Sequence, residues 1–70
     1  TNAASDAGIA ALLAEAGCVG ASFNVRINVV ALSDPSLGAA LELEARQLVA
    51  KAHDFARKAC EAVEKVLATK

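Results

Sequence analysis

The sequence predicts an all-α fold, an antiparallel helical hairpin that forms part of a larger helical bundle. Three observations carry this expectation. A single strong punctuation, Ser33-Asp34-Pro35-Ser36, divides the 70 residues into two segments. On both sides of it apolar residues recur at intervals of three and four, the spacing of one helix face. The chain is 56% hydrophobic yet holds two Phe and no Trp, Tyr or Met, so its apolar mass is Ala, Leu and Val. Eighteen of the residues are alanine, and burial energy scales with apolar area, of which Ala supplies least. A hairpin of this composition needs further partners, either in an oligomer or in the rest of a longer protein.

The first helix is expected over about Ser5 to Leu32. Ser5-Asp6 supplies a capping residue and an acid for the positive end of the helix macrodipole. Ile9, Leu12/Leu13, Ala16, Val19/Gly20, Phe23, Ile27 and Val30 form its apolar stripe. Taken alone, Phe23 to Val29 alternates apolar with polar residues and reads as a half-buried strand; the longer window favours helix. Gly8, Gly17 and Gly20 each cost about 1 kcal/mol relative to Ala inside a helix. Close approach of another helix is the expected reason, with a bend near Gly17–Gly20 as the alternative.

The second helix is expected to start at Pro35, which loses nothing by lacking an N–H at the first helical position, with Asp34 as N-cap. Leu41, Ala45, Leu48, Ala52, Phe55, Ala59, Ala62 and Val66 mark its stripe, widened by Val49, Ala56, Val63 and Leu67. Glu42/Arg46, Asp54/Lys58 and Glu61/Lys65 place each acid four residues before its base, the favourable order on a helix. Gly38 is expected only to weaken the first turn.

Seven Lys plus Arg against eight Asp plus Glu leave a net charge of -1, so no electrostatic footprint for nucleic acid or an anionic membrane exists. Residues 1–40 carry four of these charges and 41–70 the other eleven. With only Asp6, Glu15 and Arg26 charged, the first helix is apolar on nearly all sides, and one neighbour covers only one of them. The run from Asp6 to Leu32 is long enough to raise a membrane span, but Glu15, Asn24, Arg26 and Asn28 interrupt it, and no span is expected. Cys18 and Cys60 form no CxxC and have no His at ligand spacing; free buried thiols and no metal site are expected. No basic segment precedes an apolar run as in a secretory signal, so the expected location is cytoplasmic.

Ser5-Asp6-Ala7-Gly8-Ile9-Ala10-Ala11-Leu12-Leu13, followed by Gly20-Ala21-Ser22-Phe23-Asn24-Val25-Arg26-Ile27-Asn28, resembles the C-terminal part of the formimidoyltetrahydrofolate cyclodeaminase and methenyltetrahydrofolate cyclohydrolase family. There an S-D-x-x-V-A-A helix start is followed by G-A-x-x-N-V-x-I-N; here Ile9 stands where Val is commoner. The resemblance makes residues 1–70 the C-terminal helical portion of a longer domain. It implies an all-helical, homodimeric protein whose partners are the remaining helices of the domain or other chains. It also implies a tetrahydrofolate derivative as substrate, with no cofactor.

Under that resemblance Asp6 is the candidate catalytic carboxylate, facing the one-carbon unit; its structural role would be that of a first-turn acid. Asn24 and Asn28 lie on one helix face and are candidate substrate-binding amides, or else interhelical ties. Arg26 is the third candidate substrate-binding residue, able to meet a folate carboxylate or to pair with an internal acid. Asp6 and Asn24 share a face but stand about 27 Å apart on a straight helix, so one small site takes both only if the helix breaks or two subunits contribute. His53 is expected to be a solvated histidine without a partner. The rival to an enzyme is a non-catalytic packing or oligomerisation module, for which Asn24, Arg26 and Asn28 together are unneeded.

Overall fold

The Asp34-Pro35 punctuation organises the chain. Asp34 takes extended backbone angles, φ -106° and ψ 100°, and its carboxylate accepts from the backbone N–H of Ser36 at 3.0 Å and of Leu37 at 3.2 Å. Those donors have no intrahelical partner of their own. The structure, a computed structural model, describes residues 2–69. It consists of α1 (Asn2–Val29) and α2 (Pro35–Ala68), packed side by side as an antiparallel hairpin. Among the described residues there is no strand, and Phe23 to Val29 is helical.

Both ends of α1 differ from the expected bounds. The helix is already under way at Asn2, so Ser5 and Asp6 lie inside it and no acid occupies its first turn. At the other end it stops at Val29 rather than Leu32. The N–H groups of Ala31 and Leu32 reach back to the carbonyls of Asn28 and Val29, both at 3.1 Å. This tighter i→i+3 pattern ends the helix and leaves room for the chain to reverse before Asp34. No residue of the described chain has positive φ, and α1 runs through Gly17 and Gly20 without a break.

The face that α1 turns to α2 is not the stripe of large residues. It is a row of mostly small ones spaced four and three apart: Ala4, Gly8, Ala11, Glu15, Cys18, Ser22 and Val29 are the positions buried or half-buried. Ile9, Leu12, Leu13, Phe23 and Ile27 are exposed, Leu13 and Ile27 each at 69%. On α2 the packed row is Gly38, Glu42, Ala45, Val49, Ala52, Ala56, Ala59, Val63 and Val66. The expected stripe was therefore displaced, because Phe55 is 74% exposed and Leu48 and Leu67 also face out, while Ala56 at 3% is the most buried apolar residue. Small side chains let the two backbones approach, and glycine marks the tightest points. A Cβ on Gly8 would sit 2.8 Å from Cγ2 of Val63, and one on Gly38 3.1 Å from Cγ1 of Val29. Gly38 thus has a packing role beyond its cost to the first turn. Gly17 and Gly20 meet nothing within 4 Å, so whatever explains them lies outside the hairpin.

The result is a rod 56 × 14 × 11 Å with a radius of gyration of 16.1 Å, where a compact chain of this length has about 11 Å. No side chain of the described residues is fully buried. The hairpin has a seam rather than a core.

Candidate functional site

An antiparallel pair that turns at Asp34 brings together residues equally distant from that turn, and the few charges on α1 obey this rule. Arg26 and Glu42 are each eight residues from Asp34, Glu15 and His53 each nineteen. Arg26 Nε lies 3.5 Å from Glu42 Oε1, which also accepts from Arg46 at 2.9 Å. Two guanidinium groups around one carboxylate hold Glu42 below its ordinary range, first through the hydrogen bond and charge of Arg46 and then through Arg26. Glu15, half-buried in the seam, pairs with Nδ1 of His53 at 2.5 Å. His53 is exposed as expected, but the expectation that it has no partner is corrected.

Arg26, Arg46 and His53 border a shallow groove of about 300 Å³ whose floor includes Val19, Ser22 and Val49 and whose wall is the Phe23 ring. A second groove of about 280 Å³, lined by Cys18, Val25, Leu41 and Leu48 among others, is almost wholly apolar. Cys18 and Cys60 are free and half-buried. Further along α2, Asp54 is held below its ordinary range by hydrogen bonds from Lys58 and Arg57. Glu61 pairs with Arg57 at 2.8 Å, not with Lys65 as expected. Arg57 is four residues before Glu61 and reaches Asp54 at 2.7 Å as well, so one fork serves two acids.

The four candidate residues do not converge within one chain. Arg26 faces α2 and is engaged by Glu42, whereas Asn24 and Asn28 are exposed on the outer side of α1. Among the described residues neither amide side chain has a partner in the hairpin, so α2 is not what they tie to. Asp6 is exposed on the same outer side, and because α1 is unbroken it stands about 27 Å from Asn24 along the axis. Its position inside the helix also removes the structural role of a first-turn acid. Glu15, Glu42, Arg46 and His53 were not singled out as site residues; the symmetry of charges about Asp34 is the signal that finds them. No group of three His, Cys, Asp or Glu among the described residues is placed to hold a metal ion.

Asn24-Val25-Arg26-Ile27-Asn28 and Ser5-Asp6 therefore remain as motifs whose polar side chains the hairpin itself does not use, apart from Arg26. Residues 1–47, covering α1, the loop and the start of α2, match the formiminotransferase-cyclodeaminase family in its C-terminal part. The chain belongs to this family. No curated protein and no solved structure matches it. The formiminotransferase-cyclodeaminase match ends at residue 47, beyond Arg26–Glu42–Arg46 and short of His53. The ion triad therefore lies within the family's region and the rest of α2 beyond it.

Proposed function

We propose that the chain is the C-terminal helical part of an enzyme of folate one-carbon metabolism, a formimidoyltetrahydrofolate cyclodeaminase or the related methenyltetrahydrofolate cyclohydrolase. The observation that carries this reading is the family match over residues 1–47, which contains two exposed asparagine amides and an exposed aspartate unused by the hairpin. In the cyclodeaminase reaction N10 attacks the formimidoyl carbon, the C–N bond to the departing nitrogen breaks, and that nitrogen leaves as ammonia after taking up a proton. In the cyclohydrolase reaction water adds to the 5,10-methenyl cation and the ring opens. Both pass through a delocalised cation, which the Asp6 carboxylate suits, and both need oriented polar groups, which Asn24 and Asn28 supply. The substrate is the tetrahydrofolate derivative itself, with no cofactor.

The exposed apolar residues of α1 are assigned to the remaining helices of the domain or to other chains, which also complete the site. Neither nucleic acid nor membrane is a partner in this reading, and its location is cytoplasmic. Ala3–Val29 is long and apolar enough to cross a membrane by length and composition. It is packed along α2, however, which carries ten charged side chains, and its own Glu15 and Arg26 are engaged there. Arg26 paired with Glu42 favours one alternative, a packing or oligomerisation module without catalysis. Offering the intact parent protein 5-formimidoyltetrahydrofolate and the 5,10-methenyl form separately, and following the absorbance of the latter, tests the reading. Its appearance from the first identifies a cyclodeaminase, its loss a cyclohydrolase, and no change with either contradicts both.

A further inference from the structure

The outer side of α1 carries a second row with the spacing of the first, shifted by two positions. Asp6, Ala10, Leu13, Gly17, Gly20, Asn24 and Ile27 recur four and three apart, on the side away from α2, and all are exposed. The first row shows what glycine does in this chain: Gly8 and Gly38 stand where a neighbouring side chain leaves no room for a Cβ. Gly17 and Gly20 have open space around them and still bear glycine's cost in a helix interior.

We propose that this outer row of α1 packs against the same row of a second copy of the chain, antiparallel, with the two-fold axis at Gly17. Such an interface is isologous, so positions equally far from Gly17 face each other across it. Gly17 then meets its own copy, Ala14 meets Gly20, and Leu13 meets Ala21, so that small residues accompany every close approach. Asp6 and Asn28 are each eleven residues from Gly17, which sets the carboxylate of one copy opposite the amide of the other at both ends. The same register run parallel would set Asp6 against Asp6. The area agrees with one such neighbour. The chain exposes 5156 Å², where a folded monomer of its mass exposes about 4,100 Å², and the excess matches the roughly 800 Å² per partner of a standard interface.

A further consequence rests on the proposed function. One chain holds Asp6 about 27 Å from Asn24 and farther from Asn28. The second copy removes that separation and makes a carboxylate and amide site from two chains, twice per dimer.

Single cysteines introduced in a Cys18→Ala/Cys60→Ala background test the register by oxidative cross-linking of the full chain. Gly17→Cys is expected to form a covalent dimer by itself. Asp6→Cys is expected to cross-link with Asn28→Cys when the two are mixed and not with itself, because the two copies of Asp6 lie about 33 Å apart. Cross-linking of Asp6→Cys to itself, or none between Asp6→Cys and Asn28→Cys, overturns the proposal. Sedimentation of Gly17→Leu gives an independent reading, since the hairpin has room for that side chain: helicity by circular dichroism should persist while the dimer dissociation constant rises at least about tenfold. An unchanged dissociation constant, or a wild-type chain that sediments as a monomer, overturns it too. A dimer of this register in a protein that turns over neither folate would contradict the functional reading and leave the pairing standing.

Discussion

Glu42 is the residue on which the two helices exchange the most charge. Its carboxyl is held below the ordinary range by Arg46 first and Arg26 second, so its contribution to folding is fully present above that range and is lost as the pH falls through the depressed value. Thermal melts of the wild type and of Glu42→Gln should therefore differ at neutral pH and converge in acid; a constant difference would show that the charge is irrelevant. Gly8 makes a prediction of opposite character. Ala is the better helix former by about 1 kcal/mol, yet its Cβ would press on the stiff Val63 side chain, 2.8 Å away. Overpacking costs about 1–3 kcal/mol, so Gly8→Ala should lower the melting temperature, and Val63→Ala added to it should recover part of the loss. A rise in melting temperature from Gly8→Ala alone would mean that the helices are not this close.

At the scale of elements, α2 was legible from its beginning. Asp34 and Pro35 have chemistry that only a helix start satisfies, and Asp34→Ala should cost about 1 kcal/mol of stability in a denaturant titration; no change would deny the cap its role. The faces of α1 were less legible, and the reason is physical. A helix that is apolar all round gives periodicity to several faces at once, and the largest side chains draw attention to the wrong one. Ala4, Gly8, Ala11, Cys18 and Ser22 pack against α2 because they are small enough to admit Ala45 and Ala56 at close range. Ile9, Phe23 and Ile27 are left outside. The antiparallel register about Asp34 could have exposed this choice earlier, since it sets Glu15 beside His53 and Arg26 beside Glu42, pairs that only the small-residue face allows. Asn24 and Asn28 were correctly placed on one face of a helix, but Arg26 was grouped with them, although it lies toward the seam.

For the whole molecule, a rod 56 Å long without a fully buried side chain has little to offset a chain entropy of about 1–2 kcal/mol per residue. Its exposed Leu, Ile and Phe side chains call for other surfaces, which the family's remaining helices and a second copy would supply together. The candidate amides and Asp6 face toward those surfaces, so the proposed site belongs to the assembled protein rather than to the hairpin. The most direct test of that account measures, in the intact parent protein, the turnover of 5-formimidoyl- or 5,10-methenyltetrahydrofolate together with the folded fraction, for Asn24→Ala, Asn28→Ala and Asp6→Asn. The account predicts that each variant loses at least about tenfold in rate per folded molecule, about 1.4 kcal/mol and the scale of one good site hydrogen bond. Unchanged rates per folded molecule in all three variants, with only the melting temperature reduced, would contradict it and leave a packing module in its place.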